Sequence, residues 1–216
     1  WDSRMQSVGA PSLLSEEPIL KFFVLYFVVI DPLGTLAIFL IILPNIKGNK
    51  NTVAIEATFY AFIVLIFFFF LGKVILNHLN IDLYSFKIAG GIILLLISLE
   101  MMLNKRAERK TKVIKGEKNY SAIFPLAVPL LAGPAAITSV IITSSTEKQT
   151  MLWSFYNILA LFLVLIITLI FFLLAVRYEK YIKTKLLQVL SRIIAILLCA
   201  LSIQFILDGI QDFIKA

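Results

Sequence analysis

Six apolar runs, at residues 22–43, 53–76, 84–103, 122–143, 151–176 and 191–210, constrain this chain more than any other feature. Each holds 20 to 26 residues. A helix rising ~1.5 Å per residue needs ~20 residues to cross a ~30 Å hydrocarbon layer. Outer-membrane strands would show ~10-residue blocks of alternating polarity. Phe67-Phe68-Phe69-Phe70 and Ile92-Ile93-Leu94-Leu95-Leu96-Ile97 do not alternate. The expected fold is therefore all-α and polytopic, with six transmembrane helices. Composition agrees: 60% of residues are apolar and 15% charged, against about 45–50% and about 25% in soluble domains. The single cysteine, Cys199, allows no internal disulfide.

The net charge of +7 does not point to nucleic acid. Seven of the 20 Lys and Arg fall between Lys105 and Lys118 and four between Arg177 and Lys185, with no aromatic stacking platform among them. Basic loops flanking apolar runs instead mark a cytoplasmic face. With six crossings, 14 Lys and Arg gather on one side and 6 on the other, which puts both termini outside the cytoplasm. If runs one and four were re-entrant hairpins, the split would be 13 to 7 with the termini inside. Charge counting favours six crossings over that arrangement by a small margin.

Two of the runs are interrupted at corresponding places. In the first, Asp31-Pro32-Leu33-Gly34-Thr35 divides Val28-Val29-Ile30 from Leu36-Ala37-Ile38. Proline inside a helix removes a hydrogen bond, yet Asp followed by Pro suits a helix start, Asp as N-cap and Pro at the first helical position. The fourth run repeats this with Gly133-Pro134 and the following Thr138, after Pro125-Leu126-Ala127-Val128-Pro129. Pro134 follows Pro32 by 102 residues, and the other runs are offset by similar amounts. The chain thus reads as a polar tail (1–18), a three-helix repeat (19–103), a basic cytoplasmic loop (104–120) and a second three-helix repeat (121–216). A unit with an odd number of crossings inserts its second copy upside down, giving an inverted repeat with broken helices 1 and 4.

Discontinuous helices in paired halves point to a transporter's binding site. Helix N-termini attract anions, and Asp31 supplies a negative charge that is costly in hydrocarbon unless paired, protonated or solvated. One carboxylate beside two anion-attracting helix ends suits a zwitterion. Asp31 is expected to take the ammonium group or a proton. Thr35 and the backbone after Pro32, Gly133 and Pro134 would take the carboxylate, with Gly34 leaving room and Thr138 one turn farther on. The plainer reading of Asp31 is a helix cap, and the two roles can coexist. Glu100, Lys73, Lys87, Asp208 and Asp212 lie near run ends and read as interfacial; Gly90-Gly91 reads as close helix packing.

Enzyme activity is not expected. His78 is the sole histidine, with no second imidazole or cysteine to share a metal, and no HExxH, GxSxG or phosphate-cradling GxxxxGK[ST] pattern occurs. Neither a metal nor a cofactor is expected.

Asp31-Pro32-Leu33-Gly34, the stretch Pro125 to Pro134, Ala89-Gly90-Gly91-Ile92-Ile93-Leu94 and Leu207-Asp208-Gly209-Ile210 together resemble the MarC family of small multi-pass bacterial inner-membrane proteins. The resemblance runs from about Pro18 to Ala216. It implies six spans in the bacterial cytoplasmic membrane, a grouping with LysE-like exporters, and transport of small neutral amino acids such as glycine and alanine. Thr35 stands where the family pattern usually has Asn, which replaces an amide by a hydroxyl. The expected function is a secondary transporter or exporter of such amino acids, by alternating access at a midplane site. Its partners would be the lipid bilayer, a small zwitterionic solute and a coupling proton or sodium ion. The alternatives are a non-transporting membrane scaffold acting through the basic loop, an exporter of another small solute, and a passive channel.

Overall fold

The computed structural model describes residues 18–46, 48–103, 126–145, 150–179, 181–182 and 184–216. Residues 1–17 of the polar tail, the basic loop and Pro125 lie outside the described residues. Within them the protein is all-helical, with seven α-helices. These are α1 (Pro18–Ile30), α2 (Pro32–Ile42), α3 (Lys50–His78), α4 (Leu83–Met102), α5 (Pro134–Ser145), α6 (Met151–Tyr178) and α7 (Thr184–Lys215). A short turn of 3-10 helix, Leu43–Asn45, follows α2, and a wider-wound turn, Leu126–Leu131, precedes α5.

Helix boundaries follow from local chemistry. The Asn49 side chain accepts from the Asn51 N–H at 3.0 Å and opens α3; the Thr150 hydroxyl accepts from the Trp153 N–H at 3.3 Å and opens α6. After α3 the chain turns through Asn80 in the left-handed region, at φ 52°.

Five stretches are long and apolar enough to cross a membrane: Pro18–Asn45, Lys50–His78, Leu83–Met102, Met151–Tyr178 and Leu186–Lys215. The fourth apolar run forms no single continuous helix among the described residues. Pro129 and Pro134 deprive its backbone of two N–H donors. The chain there forms the Leu126–Leu131 turn, with a cis Val128-Pro129 bond, and then only the 12-residue α5. At ~1.5 Å per residue α5 reaches ~18 Å, short of the ~30 Å layer. The last helix begins at Thr184, earlier than its apolar run suggests.

The broken elements are inside and the long helices surround them. In the most apolar part of Pro18–Asn45, 78% of residues are buried, against 28–39% in the four other spans. In α5 every residue except Pro134 and Ile137 is buried. The long helices turn small residues inward and large apolar ones outward: Ala54, Ala57, Ala61 and Gly72 of α3 are buried, while Phe59, Ile63, Phe67 and Phe70 are exposed. Small residues at contacts and bulky ones outside are the pattern of helices packed in lipid.

Two pairs of long helices run antiparallel. Lys50 at the start of α3 pairs with Glu179 just past α6, at 3.5 Å. Near the start of α4, Lys87 pairs with Asp212 near the end of α7, at 2.7 Å. Lys87, expected at the interface, thus ties two helices together. A methyl group on Gly91 would fall 2.7 Å from the Ser202 carbonyl oxygen, and one on Gly209 would fall 2.8 Å from that of Tyr84. α4 and α7 therefore touch backbone to backbone. α2 packs on α6 and α7, with Phe39 stacked on Phe172 at 4.2 Å between centroids, while α5 packs on α3 and α4.

Candidate functional site

The break between α1 and α2 is a single residue wide. Asp31 adopts φ 52°, ψ 69°, a left-handed conformation that Asp tolerates better than most side chains. Its N–H still closes α1 by donating to the Phe27 carbonyl at 3.1 Å, and its own carbonyl opens α2 by accepting from the Thr35 N–H at 2.9 Å. Pro32 brings no N–H at the first helical position, so nothing is lost there. With 13 residues before it and 11 after, Asp31 lies ~20 Å from one end of the broken span and ~17 Å from the end of α2.

The Asp31 side chain is 2% exposed. Oδ1 accepts from the Gly34 N–H at 3.1 Å, the expected cap bond. Oδ2 accepts from the Ser191 hydroxyl of α7 at 2.6 Å. Gly34 is required by this closeness: a Cβ there would lie 1.9 Å from Asp31 Oδ2 and 2.6 Å from Ser191 Oγ. Thr35, 1% exposed, donates its one hydroxyl proton back toward the carbonyls of Asp31 and Pro32, at 2.8 and 3.1 Å. Its hydroxyl is therefore engaged by backbone.

Asp31, Pro32, Gly34 and Thr35 thus form one group, completed by Ser191. Gly133, Pro134 and Thr138 form a different neighbourhood. Gly133, half-buried, opens α5 by accepting from the Ile137 N–H at 3.0 Å, and a methyl group on it would fall 2.8 Å from the Pro129 carbonyl oxygen. Pro134 is exposed at the protein surface. Thr138 is buried with its methyl group over Gly90 of α4.

Sequence reasoning missed Ser191, and it missed Tyr26 and Asn157 of a second buried polar group. The Tyr26 hydroxyl of α1 is hydrogen-bonded to Thr143 Oγ1 of α5 at 2.9 Å and donates to Asn157 Oδ1 of α6. An amide in the apolar run 151–176 was the available signal, because a polar group costs free energy in hydrocarbon unless something answers it.

The model of the family described as MarC family integral membrane protein matches residues 17–214. A UPF0056 membrane protein of Buchnera aphidicola subsp. Baizongia pistaciae is 30% identical over 90% of this chain and 97% of its own length. The UPF0056 membrane protein MJ1677 of Methanocaldococcus jannaschii is 34% identical over 89% of this chain and 97% of its own length. The UPF0056 membrane protein YhcE of Escherichia coli K12 is 33% identical, covering 88% and 91%. No solved structure matches the chain.

Proposed function

The chain belongs to the MarC family of integral membrane proteins, and we propose that it is a secondary transporter or exporter of small neutral amino acids, of glycine or alanine size. The observation that carries this reading is Asp31, a carboxylate buried in a helix break about halfway along a membrane-length span. Non-helical backbone at such depth is tolerated where protein encloses it or a polar cavity lies beside it.

The packing supports alternating access between two inverted halves. Buried Ala54, Ala57, Ala61, Leu65, Phe69 and Gly72 of α3 recur, 103 residues on, as buried Asn157, Ala160, Val164, Thr168, Phe172 and Ala175 of α6. Buried Gly90, Gly91, Leu94 and Ser98 of α4 recur, 104 residues on, as Ile194, Ala195, Leu198 and Ser202 of α7. Pro32 and Pro134 keep a similar offset. Corresponding helices α3 and α6, and α4 and α7, are antiparallel, as inverted units require. In this reading the Leu126–Leu131 turn and α5 together form the sixth, broken crossing. Each broken helix packs on the long helices of the other half, so rocking one half against the other moves Asp31 relative to Ser191.

The chemistry follows from the site. An ionised carboxylate accepts in about four directions, and a solute ammonium arriving at Oδ2 displaces the Ser191 hydroxyl. That exchange trades an α2–α7 contact for a solute contact, which links binding to helix movement. A proton or sodium ion fills the same place when no solute does. The protein sits in the bacterial cytoplasmic membrane with both termini outside the cytoplasm, and it is not an enzyme.

Counterflow tests this. Proteoliposomes preloaded with unlabelled glycine or alanine should transiently accumulate labelled amino acid with the natural protein and not with Asp31→Asn. No accumulation across neutral amino acids, with folded and inserted protein, overturns the reading.

A further inference from the structure

The second buried polar group has hydrogen-bond donors that nothing in the described structure answers. Tyr26 stands five residues before Asp31, ~7.5 Å along the helix axis toward the face where α5 ends. Its hydroxyl proton has two acceptors within reach, Asn157 Oδ1 and Thr143 Oγ1. The Thr143 proton has the Ser139 and Val140 carbonyls, at 2.9 and 3.1 Å. These two hydroxyls are therefore satisfied by their neighbours.

Asn157 Nδ2 and Ser139 Oγ are not. Their residues are 1% and 0% exposed, and neither atom has a hydrogen-bond partner among the described residues. Turning the Asn157 amide over leaves at least one N–H unmatched, because Tyr26 Oη answers only one of the two. Ser139 precedes Thr143 by one helical turn, so both face the same side of α5. A neutral, buried group with surplus donors calls for a guest rich in acceptors and poor in protons, which describes a carboxylate.

We infer that Asn157 and Ser139, held in place by Tyr26 and Thr143, form a second carboxylate-binding station between Asp31 and the face where α5 ends; this rests on the transport reading above. Tyr26 positions the amide by holding Oδ1 and so turns Nδ2 away from itself. A solute leaving Asp31 toward the face where α5 ends passes its carboxylate to Ser139 and Asn157. The station selects for a carboxylate at one end of the solute, as Asp31 selects for an ammonium group at the other.

Glycine counterflow in proteoliposomes, with glycinamide as competitor, tests the station. Glycinamide keeps the amine and lacks the carboxylate. Asn157→Ala should raise the apparent KM for glycine about tenfold or more, the loss of one charge-assisted hydrogen bond, and narrow the preference for glycine over glycinamide. Asn157→Gln, which keeps an amide donor, should recover part of both. Ser139→Ala leaves the Tyr26–Asn157 contact in place and should shift KM in the same direction, so it decides the matter if Asn157→Ala does not fold. Unchanged KM and unchanged preference, with the natural protein running counterflow, would overturn the station alone and leave a buried water as the guest. No counterflow by the natural protein would overturn the transport reading and the station together.

Discussion

Ser191 of α7 donates its hydroxyl to Asp31 Oδ2 at 2.6 Å, joining residues 160 apart in the chain. The bond fastens the second half of the protein to the helix break of the first. Removing either partner should separate what the site does from how the protein stands.

Asp31→Asn keeps a side-chain oxygen for the Gly34 N–H and a residue type that tolerates the left-handed conformation. It should fold, with unfolding free energy within about 1–2 kcal/mol of the natural protein, and lose counterflow by more than about tenfold. Comparing thermal unfolding in detergent with flux checks both. Equal loss of fold and flux would make Asp31 a cap and nothing more.

Ser191→Ala removes the hydroxyl and leaves Asp31 one donor short. The expected loss of stability is about 1.5–3 kcal/mol, the range for a hydrogen bond to a charged group. Transport should be weakened rather than abolished, because the carboxylate remains. A steeper fall in flux than in Asp31→Asn would contradict the displacement of Ser191 by solute.

Gly34→Ala should damage the site more than its size suggests. The added carbon has no room beside Asp31 Oδ2 and Ser191 Oγ, and overpacking of this kind costs typically about 1–3 kcal/mol. Relief requires the carboxylate to swing away, so flux should fall even where the protein stays folded. Full activity in Gly34→Ala would show that the Asp31–Ser191 contact is dispensable.

Two further glycines separate rigid from yielding contacts. Gly91→Ala and Gly72→Ala each introduce one methyl group, but the first meets the Ser202 backbone oxygen and the second meets only the Ile141 side chain, at 2.6 Å. Ile141 can turn; the backbone of α7 cannot move without its whole helix. Gly91→Ala should therefore be the more destabilising of the pair in thermal unfolding, by about 1 kcal/mol or more. The reverse order would place the yielding contact between α4 and α7.

The helix break was legible because Asp-Pro in the middle of an apolar run has few physical explanations, and the cap at Gly34 follows from it. The partner of Asp31 was not legible. Ser191 is one hydroxyl at the edge of an apolar run, and only the packing of α2 on α7 brings it to the carboxylate. Thr35 shows the converse: its hydroxyl in a helix interior had carbonyls within reach, and those hold its proton. The fourth run looked membrane-length by composition, since hydropathy does not register how two prolines and a glycine divide a backbone. The helix start at Gly133-Pro134 was legible too; what was not is the short reach of the helix that follows, Pro134–Ser145 among the described residues.

The burial of α5 bears on how this protein can be made. A long apolar helix can leave the insertion machinery and rest in lipid alone, but α5 is too short for that and has almost no lipid-facing surface. Its lodging is the cleft formed by α3 and α4, which are synthesised before it. The first half of the chain therefore acts as an assembly template for the second, and the second half expressed alone offers α5 nowhere to settle.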